Sequence, residues 1–270
     1  MQSALTAWPR HAHEDALLET APTPIELLVL WQNPVSRSIV PIGRLQHDDG
    51  VFTFRYTQAA LQEADFRPLA GLPDLTGVYR GHELPPVFDQ RIMSDSNPGY
   101  RSYLRSIGVK GDRAQVTPWE QLLISGGRRQ GDTLQFMELP TVIDGRARAR
   151  FLVSGIRYVS DHFRHGQSDL EQALRSLDVL DPVRLVAEHD NEYDENAVVV
   201  TTTGRMVLGW VPQLLSASVR ALLPIESGTT VMVANPDAPS HLQLVVDLET
   251  PAPDGFTFDP TGAWGTATEG

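Results

Sequence analysis

Turn-forming residues interrupt this sequence so often that no long helix or strand fits between them. Its 270 residues include 21 glycines and 20 prolines; glycine adopts positive φ freely and proline fixes φ near a turn value. The apolar runs left between them are short, and several alternate with polar residues, the period of half-buried strands. With 41% hydrophobic residues the chain holds enough apolar material for cores in two ordinary domains. The expected class is mainly β, in an α+β arrangement with a few short helices.

There is no cysteine, which excludes disulfides, thiolate metal sites and thiol nucleophiles, and suits a reducing compartment such as the cytoplasm. Met1 to Thr23 includes His11, His13, Glu14, Asp15 and Glu19 and lacks the apolar core of a signal peptide. No stretch approaches the roughly 18 uninterrupted apolar residues of a membrane helix. A cytoplasmic protein without a membrane partner is expected. The net charge of −12 is unevenly placed, since residues 151–250 carry 6 Arg and Lys against 14 Asp and Glu. Such acidity disfavours binding along a broad duplex face, which needs many cations to release counterions from phosphates.

Four regions are expected: a flexible leader over 1–24, a first module over 25–145, a second over 150–249 and a disordered tail over 250–270. The tail is read from its Pro and Gly content, although it contains Phe256, Phe258 and Trp264. In the first module, strands are expected over Ile25–Trp31, Ser38–Leu45 and Val51–Tyr56, with Asp48-Asp49-Gly50 as a hairpin turn. Thr57 can cap a short helix over Ala59–Ala64. Leu69 to Phe88 should be irregular. Helices follow over Pro98–Ile107 and Pro118–Ile124, the second opened by Thr117 and stopped by Ser125-Gly126-Gly127, and Thr133–Leu139 returns as a strand.

Gly43-Arg44-Leu45, Val51-Phe52-Thr53-Phe54-Arg55-Tyr56, Phe66-Arg67-Pro68-Leu69 and Leu84-Pro85-Pro86-Val87-Phe88-Asp89 occur in that order. In these blocks residues 25–140 resemble the N-terminal subdomain of HipA-type kinases. No phosphate-binding loop or catalytic Asp follows, so the resemblance implies a contact module without kinase activity. Residues 91–129 add Arg91, Arg101, Arg105, Lys110, Arg113, Arg128 and Arg129 against Asp95, Asp112 and Glu120. Such a charge run reads first as a solvated helical face.

In the second module, strands are expected over Phe151–Val159, Val183–Ala187, Thr230–Ala234 and Leu242–Leu248. Ala197–Thr202 and Met206–Val211 form a hairpin around Gly204, and helices cover Ser168–Leu177 and Leu214–Leu223. Short strands with two short helices suggest a small OB-like or SH3-like barrel. Gly155-Ile156-Arg157-Tyr158, Arg184-Leu185-Val186, the loop from Asp190 to Val198 and Leu208-Gly209-Trp210-Val211-Pro212 follow one another along it. In these four blocks residues 151–249 resemble the HIRAN family, whose members bind ends of single-stranded DNA.

The resemblance implies a DNA-binding set of Arg157, Tyr158, Asn191, Tyr193 and Asp194, with Trp210 as a further stacking surface. The chemistry suits the task. Tyrosine faces stack on unpaired bases, a guanidinium holds a phosphate through two donors, and an ionised Asp accepts a hydrogen bond from a terminal hydroxyl. Each residue also has a structural reading: Tyr158, Tyr193 and Trp210 as core, and Asn191, Asp194 and Asn196 as turn formers. Pro212 stands where some DNA-binding members have a basic residue, and Ala238, Pro239 and His241 stand where an aromatic is expected, which lowers the expected phosphate affinity.

His162-x-x-His165 and His11-x-His13 lack a third ligand, no triad or acid–base pair is discernible, and no cofactor is implied. The expectation is a non-enzyme, an adaptor recognising single-stranded DNA ends, the 3′ end foremost, in repair or defence, with a nuclease, helicase or HipA-like kinase as a protein partner. The alternative is an antitoxin-like, protein-binding regulator of a separately encoded HipA-like kinase.

Overall fold

The computed structural model describes residues 25–107, 109, 116–128, 132–164, 166–224 and 228–267. The expected leader, Lys110, Asp112, Arg113, Arg129 and His165 lie outside the described residues. The architecture is mainly β, with twelve strands in three antiparallel sheets and seven short helices among the described residues.

The first module is built on β1 (Glu26–Gln32), β2 (Ile39–Asp48), β3 (Val51–Tyr56), β4 (Val78–Gly81) and β5 (Leu134–Glu138), in spatial order β4-β3-β2-β1-β5. β1 is an interior strand, paired with β2 and β5, and its run Leu27-Leu28-Val29-Leu30 is buried throughout. Successive strand side chains point to opposite faces. Leu27 and Val29 enter the first module's core with Phe54, Tyr56 and Phe88, whereas Leu28 and Leu30 enter the core of the second module.

Around this sheet, α1 (Gln58–Gln62) starts at Thr57, whose hydroxyl accepts from Ala60 N–H. After α2 (Pro86–Asp89) and α3 (Tyr100–Ser106), α4 (Pro118–Ser125) opens on a reciprocal cap between Thr117 and Glu120 and stops at Gly126, in the left-handed region. The segment expected to be irregular contains β4, which pairs with β3, and α2.

The second module contains β6 (Thr141–Ile143), β7 (Arg146–Leu152), β8 (Val183–Ala187), β9 (Val198–Thr202), β10 (Val207–Trp210), β11 (Thr229–Ala234) and β12 (Leu244–Pro251). One sheet runs β11-β12-β7-β6 and the other β10-β9-β8. Two seams join them. Ser154, just past β7, exchanges both backbone hydrogen bonds with Trp210, and at the other side Leu180 and Val231 N–H groups donate to Val231 and Asp181 carbonyls. The strands thereby close into a small barrel. Helices α5 (Val159–Phe163), α6 (Gln167–Arg175) and α7 (Gln213–Ala221) complete the module.

Two further expectations are corrected. The strand expected over Phe151–Val159 ends at Leu152, because Gly155 turns the chain at φ 70° into a 3-10 turn over Ile156–Tyr158. Residues 251–267, expected to be a disordered tail, are packed. Phe258 and Trp264 are buried in the second core, and Ala267 in the first. Asp259 shapes this segment by accepting from the N–H groups of Ala263 and Trp264. Beyond it, Ala267 N–H donates to Tyr56, and Gln58 and Ala59 N–H groups donate to Gly265 and Ala263. The C-terminal segment straps the two modules together.

Candidate nucleic-acid interface

The ten residues between β8 and β9 form a loop whose ends are clamped. Glu188 N–H donates to the Ala197 carbonyl at 2.9 Å, and Arg220 of α7 donates to the carbonyls of Glu188 and Ala197, each at 3.2 Å. Within it, the Asn191 side-chain carbonyl accepts from the N–H groups of Tyr193 (2.9 Å) and Asp194 (3.0 Å). Asp194 Oδ1 accepts from Asn196 N–H at 2.9 Å. These are the local bonds by which Asn and Asp fold a turn. Their result is that Tyr193 stands 87% exposed at the tip. Asp194 Oδ2 has no hydrogen-bond partner among the described residues.

Glu188 organises the base of this loop. Its Oε2 accepts from Asn191 Nδ2 and from Trp210 Nε1, both at 2.7 Å, and its Oε1 lies 2.7 Å from His162 Nε2. Burial raises the carboxyl pKa, but the bonds from Trp210, Asn191 and His162 together outweigh it and hold the group below its ordinary value. Trp210 is half-buried, its ring stacked on Phe163 and edge-on to His162. It also lies against Gly155, where an added Cβ would stand 2.6 Å from Trp210 Cε3. Trp210 therefore links the Glu188 base to the Gly155 turn instead of offering a free stacking face.

On that turn, Arg157 and Tyr158 are exposed, Tyr158 by 52%. The Arg157 guanidinium lies 4.5 Å from the centre of the Tyr158 ring and donates to the Tyr158 hydroxyl. It makes no ion pair among the described residues. Asn191 and Asp194 thus shape the loop that presents Tyr193, while Arg157 and Tyr158 form a second exposed unit on the other side of Trp210.

Residues 148–248 match the HIRAN domain. The HIRAN match spans the closed ring of strands and contains all six expected site residues. It does not reach residues 25–140, and no comparison supports the expected resemblance of that region to the HipA subdomain. No curated protein and no solved structure matches this chain.

Sequence reasoning missed Glu188 and Arg220. The available signal for Glu188 was Trp210 itself, since a buried indole N–H usually needs an acceptor, but nothing in the spacing selects Glu188 among the many nearby acids. In the basic stretch, Arg91 is withdrawn from solvent. It pairs with Asp132 at 2.5 Å and donates to three backbone carbonyls. Arg101 and Arg105 are solvated on α3. Among the described residues, no group of three or more His, Asp or Glu is placed to hold a metal ion, and no helix is long and apolar enough to cross a membrane.

Proposed function

We propose that this chain captures the end of a single DNA strand through its HIRAN-matched domain and carries out no chemistry on it, serving as an adaptor for a separate repair or defence enzyme. The observation that carries the reading is Tyr193, a large aromatic left almost fully exposed at the tip of a loop whose turn is folded by the Asn191 and Asp194 side chains. A solvated tyrosine at a rigid tip costs little conformational entropy when a base stacks on it. Asp194, beside it, keeps one oxygen for the hydroxyl of a free 3′ end, and its charge would repel a terminal phosphate there. Arg157, without a carboxylate partner among the described residues, supplies the phosphate contact.

The test is fluorescence anisotropy at low salt with oligonucleotides bearing free or blocked 3′ ends. The free end should bind more tightly. Tyr193→Ala should weaken binding by about 1–3 kcal/mol, the worth of one stacked base. Asp194→Asn, which keeps the Oδ1 acceptor for Asn196, should abolish the preference for a free hydroxyl. Equal weak binding to every oligonucleotide, or none, would overturn the reading.

A further inference from the structure

The two modules face each other across an open cleft of about 1230 Å³, walled on one side by β1, β2, β5 and the end of α4 and on the other by β7, the Arg157–Tyr158 turn and the segment around His241. Its volume exceeds the roughly 300–1000 Å³ of small-molecule pockets, as a groove for an extended chain would. Five arginines line it, Arg37, Arg91, Arg128, Arg150 and Arg157, against two acids, Asp132 and Glu138. Both acids are used, Asp132 by Arg91 at 2.5 Å and Glu138 by Arg150 at 3.3 Å. Arg37 and Arg128 from the first module and Arg157 from the second remain without an ion pair among the described residues. Partial withdrawal from water, followed by the charges of Arg157 and Arg37, lowers the pKa of Arg128. The guanidinium stays protonated nonetheless. Three like charges converging on one cleft repel one another, and an anion entering between them relieves that repulsion.

We propose that this cleft is a polyanion track formed jointly by the two modules, in which Arg37 and Arg128 hold backbone phosphates of the same single strand whose end the HIRAN-matched domain binds. The inference rests on that reading of the second module, and it gives the first module a binding role of its own. Arg157 and Tyr158 belong both to the expected end-binding set and to the cleft wall, so a strand held by Tyr158 lies at the mouth of the track. The local excess of arginine also reconciles nucleic-acid binding with a chain of net charge −12.

The experiment compares the full chain with Arg37→Glu/Arg128→Glu and with Arg101→Glu/Arg184→Glu. The second pair makes the same change of net charge at exposed positions outside the cleft. Anisotropy titrations use a linear oligothymidine and a circular single strand without ends, across a range of salt. The cleft pair should weaken binding to both strands, and its plot of log affinity against log salt should flatten by about 0.7 for each lost phosphate contact. The free-end preference should remain, and urea midpoints should report retained folding. Equal losses in the two variants, or wild-type affinity and slope in the cleft pair, would overturn the track. If that pair behaves like wild type while Asp194→Asn loses the end preference, the track fails and the end-binding reading stands. A cleft-dependent slope without any end preference does the reverse.

Discussion

Burial alone would make the Glu188 carboxyl harder to ionise, yet donors from Trp210, Asn191 and His162 converge on it and its pKa falls below the ordinary 4.5. A depressed carboxyl pKa means that folding favours the ionised form, so the contribution to stability is fully present above 4.5 and is lost as pH falls through the lower folded value. Glu188→Gln should therefore destabilise the protein near neutral pH by about 1–3 kcal/mol, because an amide cannot accept from all three donors. The gap between variant and wild type should start to narrow below pH 4.5 and close once pH falls under the lowered folded value, as urea titrations across the acid range would reveal. A gap independent of pH would refute the role of the charge. Tyr193 behaves differently. Its ring makes no packing contribution, so Tyr193→Ala should leave the urea midpoint within about 0.5 kcal/mol of wild type while weakening DNA binding. The sequence could reveal Tyr193, Asn191 and Asp194 as a loop because their chemistry is local. It could not reveal the Glu188 hub, because Trp210 and His162 reach it from distant positions in the chain.

At the scale of elements, Gly155 and the C-terminal strap decide what the barrel presents. Gly155 holds a positive φ with the Trp210 ring where its Cβ would lie. Gly155→Ala should displace that ring and cost about 1–3 kcal/mol through backbone strain alone, read as a lower urea midpoint with altered indole fluorescence. Trp264 is buried in the second core from a segment with little regular structure. Trp264→Ala should cost about 3–5 kcal/mol; a change below 1 kcal/mol would mean that the strap packs without holding. Most strands were legible from the alternation of β-branched and aromatic residues with polar ones. β7 was not, although Arg146, Arg148 and Arg150 alternate with the inward residues Ala147, Ala149 and Phe151, because alanine is a weak strand signal. The strap was misread on composition. Its aromatics carried the opposite message, but the partners that bury them come from far along the chain.

The molecule as a whole depends on β1 serving two cores. Leu27 and Val29 pack into one module while Leu28 and Leu30 pack into the other, and the strap adds buried residues to both. An interface made of shared core side chains should couple the modules more tightly than the smaller, polar contacts that usually join domains. Urea unfolding should then be one transition, with far-ultraviolet circular dichroism and tryptophan fluorescence tracing the same curve. Both modules report, since Trp31 and Trp119 lie in the first and Trp210 and Trp264 pack in the second. Leu28→Ala tests the coupling most directly. It touches only the second core, yet stands on an interior strand of the first module's sheet, and should lower the common midpoint by an amount equivalent to about 2–5 kcal/mol. If the modules were independent, the two probes would separate in the variant, the second module unfolding early and the first holding its midpoint. A single displaced transition would instead mean that the walls of the cleft form and dissolve together, which a binding track built from both modules requires.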